Sequence, residues 1–73
     1  MLTMHPRITI DPQICHGKPT IKGTRVLVSN ILASLAAGES NGAILKSYPG
    51  LTEKDIRAAL EFASGLAQFK PLP

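Results

Sequence analysis

The chain has 73 residues, enough for one domain that buries only about 60% of the surface its unfolded form would expose, so a deep enclosed active site within one copy is not expected. At 44% hydrophobic and 18% charged it is too apolar for a disordered tail, and no apolar run is long enough to cross a bilayer. The formal charge of +3 is unevenly placed: residues 1–27 hold Arg7, Lys18, Lys22 and Arg25 against Asp11 alone, whereas residues 28–73 carry equal numbers of each sign, so a polyanion is drawn to the first third.

In chain order, MLTMHPRITID has no apolar stretch of signal-peptide length, and a lone cysteine suits a reducing compartment, so the expectation is a cytoplasmic protein. That cysteine cannot form a disulfide within the chain, and a core this small therefore calls for a second subunit. RITID reads as a short strand with Ile8 and Ile10 on one face, stopped by Pro12. TRVLV, residues 24–28, is the second predicted strand, on the strength of its β-branched Thr24, Val26 and Val28. Between them CHGKPTIKGTR is an irregular arm punctuated by Gly17, Pro19 and Gly23.

From Val28 the period changes to that of a helix. Val28, Ile31, Leu32, Leu35 and Ala36 form one apolar stripe, which predicts a helix over roughly 29–37 with Ser29 or Asn30 as cap and Gly38 as its left-handed stop. Ser40 caps a second, two-turn helix with Ile44, Leu45 and Tyr48 on one side, ended by Pro49-Gly50. LTEKDI then carries the strongest start signal: Thr52 as N-cap, Asp55 as a short version of the capping-box partner, and Leu51 with Ile56 as a hydrophobic staple. Asp in place of Glu or Gln predicts a weakened reciprocal bond. Ile56, Ala59, Leu60, Ala63 and Ala67 are the expected buried stripe of this third helix, with Gly65 as its stop.

Three helices, the last two joined by Pro-Gly-Leu, outline a helix-turn-helix behind a small β-arm, although bundles that touch no nucleic acid also contain such a turn. The expected architecture is one domain, mainly α with a small N-terminal β-arm: residues 1–27 as an arm that is part of the single domain, 28–65 as helix-turn-helix core, 66–73 as C-terminal tail.

Few residues suggest catalysis. Gly17 and Gly23 miss the P-loop pattern, because their spacing is wrong and no lysine follows the second glycine. Cys15-His16 falls short of a zinc set, and adjacent side chains on an extended segment point apart, so His16 is badly placed to activate Cys15. No enzyme, metal or cofactor is expected. Lys18, Lys22 and Arg25 could meet phosphates of a duplex; they also fit a solvated basic loop, and Arg25 fits a structural role toward a carboxylate. On the third helix Lys54 and Arg57 are the residues suited to reading bases, but Glu53, Asp55 and Glu61 leave it net negative.

The run ITIDPQICHGKPTIKGTRVLV, the segment AAGES and YPGLTEKDIRAALEFA together resemble the small prokaryotic family called domain of unknown function 433, over about residues 8–64. That family includes VapB-type antitoxins of type II toxin-antitoxin pairs. The resemblance implies a homeodomain-like helix-turn-helix, dimerisation, and for some members a toxin of PIN-like nuclease fold that the antitoxin shields while repressing its own operon. His16 stands where the pattern commonly has a second glycine, which argues against a left-handed backbone there. Asn41-Gly42-Ala43 lacks the acidic residues usual at the start of the second helix.

The leading expectation is thus a non-enzymatic homodimer that binds operator DNA through Lys18, Lys22, Arg25, Lys54 and Arg57 and a toxin through Leu66, Phe69, Pro71 and Leu72 of an apolar tail. The TIKGTR segment offers a strand edge for pairing between subunits. The alternative is a homo-oligomeric assembly module that uses the same helices only for packing.

Overall fold

The computed structural model describes the backbone of residues 2–67 and the side chains of residues 5–67. Three short strands, β1 (Leu2–His5), β2 (Ile8–Ile10) and β3 (Thr20–Ile21), are followed by three helices, α1 (Val28–Ala36), α2 (Asn41–Ser47) and α3 (Glu53–Ala67). The architecture is mainly α with a small N-terminal sheet, a three-helix arrangement of helix-turn-helix type. The strands form one antiparallel sheet in chain order, with Ile8 opposite Ile21 and Thr9 opposite Thr20. Along β1 the register slips between Leu2 and His5.

One feature explains why the arm and the helices fold together. Ile8 of β2, Ile21 of β3, Ile31 of α1, Ile44 of α2 and Ile56 of α3 are each at most 2% exposed, so five elements each send one isoleucine into a shared core. Full burial of such a side chain contributes about 1.5–3 kcal/mol. The arm is therefore part of the core, packed with the helices as one unit.

The helix ends follow local chemistry. At the end of α1 the Glu39 amide reaches the Ser34 carbonyl at 3.1 Å and the Gly38 amide reaches that of Leu35 at 3.0 Å, the paired bonds of a Schellman stop, which Gly38 permits at φ +89. Ser40 Oγ accepts the Ala43 amide at 3.1 Å and caps α2. Tyr48-Pro49-Gly50-Leu51 closes as a turn with the Leu51 amide on the Tyr48 carbonyl at 3.1 Å; proline supplies the second position and Gly50, at φ +99, the third. Leu51 and Ile56 are both buried, as a staple requires.

Several expectations need correction. β1 has no counterpart in the sequence reading. TRVLV is not a strand: only Leu27 makes an isolated bridge, to Thr20, and α1 begins at Val28 with Leu27 as an N-cap lacking a side-chain bond, so neither Ser29 nor Asn30 caps it. Residues 19–28 instead form a tight hairpin, in which the Ile21 amide meets the Val26 carbonyl and the Val28 amide meets the Pro19 carbonyl, both at 3.0 Å. That hairpin covers the outer edge of β3, so TIKGTR does not present the open strand edge expected for pairing between subunits. Gly65 does not stop α3, which runs on to Ala67, and the expected 65/66 boundary therefore falls inside a helix. In the expected stripe Leu60 is 49% exposed and Ala67 is exposed; Ala58, Asp55 and half-buried Phe62 occupy the inner side with Ile56 and Ala59.

The segment around Cys15 also differs from the expected extended form. Cys15 and His16 have φ of +51 and +58, and Gly17 follows at +82, so three successive residues are left-handed. The Gly17 and Lys18 amides close this turn onto the Ile14 and Cys15 carbonyls at 3.1 and 3.2 Å. An Asx turn leads into it, with Asp11 Oδ1 accepting the Gln13 amide at 2.9 Å. Histidine is among the side chains that tolerate this region better than most.

Candidate nucleic-acid interface

The β1–β2 hairpin lies along one side of α3 and is tied to it at two heights. Near the helix start Arg7 Nη1 donates to Asp55 Oδ1 at 3.1 Å; farther along, His5 Nε2 meets Glu61 Oε1 at 2.7 Å. His5 Nδ1 accepts the Arg7 amide at 3.1 Å, which leaves the neutral ring's proton on Nε2 to donate to Glu61. Hairpin and helix are thus joined by side chains 48 and 56 positions apart in sequence.

Asp55 carries most of the local order. Its Oδ2 accepts the Thr52 amide at 3.0 Å and the Thr52 hydroxyl at 3.2 Å, while Oδ1 takes the Arg7 guanidinium. The acid's half of the capping box therefore forms, at 3.0 Å, despite the shorter side chain. The other half does not form: the Thr52 hydroxyl donates to Asp55, and the Asp55 amide bonds to the Thr52 carbonyl at 3.0 Å, so Thr52 is not the side-chain cap expected. With three donors and the positive end of α3 beside it, the carboxylate is held at 6% exposure.

This changes the electrostatics of α3. The open side of the helix carries Glu53, Lys54, Arg57, Leu60 and Glu61, all exposed. Asp55 has left that face for the interior and is neutralised by Arg7, so the face carries two charges of each sign and is not net negative as the sequence count implied. Glu61 is engaged by His5. Among the described residues the ion pair is Arg7–Asp55 and the His5–Glu61 contact is a hydrogen bond from a neutral ring; neither draws on Lys54 or Arg57.

The expected DNA-contacting residues are all exposed but fall in separate places. Lys54 and Arg57 line a depression between α3 and the start of α2 together with Asn41, Glu53 and Leu60. Lys22 lies beside Arg7, Pro6 and Asp55, near the beginning of α3, with its amide on the Arg7 carbonyl at 2.7 Å. Arg25 borders a different hollow with Thr9, Ile14 and Thr24. Its carbonyl accepts a weak bond from the half-buried Cys15 thiol at 3.6 Å. The structural role toward a carboxylate that the sequence suggested for Arg25 belongs to Arg7. Of the expected partner-binding residues Leu66 sits on the last turn of α3 at 55% exposure, and Phe69, Pro71 and Leu72 lie outside the described residues.

Arg7, Asn41 and His5 are the members of this region that sequence reasoning missed. Asn41 immediately follows a capping serine, a position that flags helix geometry but no surface role. No helix among the described residues is long and apolar enough to cross a membrane.

Comparison with known proteins bears on the fold and the family. The uncharacterized protein y4eO of Sinorhizobium fredii is 41% identical over 56 residues, which is 77% of this chain but 25% of that protein. The chain thus spans about a quarter of the length of that curated relative. The crystal structure of a DUF433 member protein from Anabaena variabilis superposes with a TM-score of 0.78 at 32% identity, covering 85% of this chain and 61% of that one. Residues 8–63 match the family described as protein of unknown function (DUF433), and the chain belongs to that family.

Proposed function

We propose that this protein is a small antitoxin-like DNA-binding module: a homodimer that places α3 against operator DNA, represses its own operon and shields a PIN-like nuclease toxin. The observation that carries the DNA-binding part is the withdrawal of Asp55 from the open face of α3. With that carboxylate buried on Arg7, and Lys54 and Arg57 outside both the Arg7–Asp55 and His5–Glu61 contacts, the helix following the Pro-Gly turn presents donors of the kind that reach base edges. Lys18, Lys22 and Arg25, all exposed on the arm, supply phosphate contacts. The antitoxin part rests on the family resemblance, and its toxin-contacting surface centres on Leu66 and the apolar residues after it.

A fluorescence anisotropy titration with the DNA upstream of the reading frame, at two salt concentrations, tests the reading. Binding is expected to weaken with salt, and each of Lys18→Ala, Lys22→Ala and Arg25→Ala to flatten the logarithmic slope by about 0.9. Absence of binding, or binding without a salt slope, favours the assembly module. That second reading draws on the uncharged run from Val26 to Gly38, whose outward positions on α1 are small or polar.

A further inference from the structure

Resting on the DNA-binding reading above, we propose that Glu53 and Arg57 form a base selector: Arg57 donates to a guanine edge, and Glu53 accepts from the amino group of a nearby cytosine. The two side chains stand at i and i+4 on the open face of α3, a spacing at which opposite charges commonly pair with each other. Here they are exposed and unpaired, since the charged side-chain contacts among the described residues are the Arg7–Asp55 ion pair and the hydrogen bond from His5 to Glu61. Both border the same depression, with Asn41 and Lys54 between α2 and α3.

A carboxylate on a surface that faces phosphates weakens indiscriminate binding. It is tolerated in a duplex groove where it meets a donor. In the major groove the donors are the amino groups of cytosine and adenine, while guanine N7 and O6 and thymine O4 are acceptors that repel it. The guanidinium of Arg57 has the opposite preference and fits the two acceptors of guanine. Four residues of helix rise about 6 Å and successive bases about 3.4 Å, so the two groups address bases within roughly two steps of each other. Glu53 thereby trades affinity for discrimination, and Arg57 anchors the register.

Selection from randomised duplexes, followed by anisotropy titration of the selected sequences at fixed salt, provides the test. The wild type is expected to enrich a cytosine and a guanine within two steps. Glu53→Gln should bind unselected duplex about threefold or more tightly, and its cytosine preference should flatten or move to adenine. Arg57→Ala should lose about tenfold discrimination at the guanine while leaving the cytosine preferred. Thermal unfolding of both variants confirms that the fold is retained, as expected for two exposed side chains. Should Glu53→Gln select the same bases as wild type with equal discrimination, the selector is wrong. Salt-dependent binding by wild type with no sequence enrichment overturns the selector while leaving DNA binding intact; no binding to any duplex overturns both.

Discussion

Replacing Asp55 tests the central claim about how the hairpin, the turn and α3 are held together. Asp55→Ala removes the acceptor for the Thr52 amide and hydroxyl, at 3.0 and 3.2 Å, and the partner of Arg7 at 3.1 Å. Loss of a capping interaction costs about 1 kcal/mol. A hydrogen bond to a charged group contributes about 1.5–3 kcal/mol. The Arg7 side chain is 43% exposed, so water partly replaces its lost partner, and the lower end of that range applies. The sum is about 2–3 kcal/mol. For a domain of this size each kcal/mol moves the melting midpoint by about 4–8 °C, so circular dichroism melts should show a fall of about 10–20 °C. Asp55→Asn keeps an oxygen for the Thr52 amide but loses the charge, and should fall about half as far. Arg7→Ala combined with Asp55→Ala should be about 1 kcal/mol less damaging than the two single effects added together. A midpoint within about 3 °C of wild type for Asp55→Ala, or strict additivity in the double mutant, would refute the reasoning.

Two further predictions concern backbone shape. Gly50 and Gly65 both have open space around an added Cβ, yet Gly50 lies at φ +99 while Gly65 sits within α3 and has no positive φ. Gly50→Ala should therefore destabilise by about 1–2 kcal/mol, and Gly65→Ala should stabilise by up to about 1 kcal/mol; urea unfolding of the pair checks both, and equal signs contradict the assignment. His16→Gly should relieve the left-handed strain at φ +58 and raise stability by about 1 kcal/mol. A lower urea midpoint for that variant means that the imbalance favours contacts of the imidazole over backbone relief.

What the sequence disclosed was what neighbouring residues decide among themselves. Ser40, Pro49-Gly50 and the Leu51–Ile56 staple act within a few positions of one another, and each stands where periodicity and capping chemistry placed it. β1 was invisible because its stability comes from Ile10 and Ile8, across a turn, and from α3, and its own residues carry no strong alternation. TRVLV has the composition of a strand, but Val28 serves better as the buried start of α1, so tertiary packing overrode β propensity. The left-handed His16 went against a rule that favours glycine there, because the turn that joins β2 to β3 is fixed from both ends. For the site, Lys54 and Arg57 were readable as a helix face. The electrostatic balance of that face was not, since it depends on which acid folds inward, and Arg7 reaches Asp55 from 48 residues away.

The two ties from His5 and Arg7 act as a splint on α3. A helix braced at Asp55 and Glu61 would have less motion to surrender on entering a complex than an unbraced one. Cutting either brace while leaving the open face intact would then shorten the lifetime of a complex more than it slows the encounter. His5 and Arg7, remote from the open face in sequence, would thereby govern how long a complex formed on that face lasts.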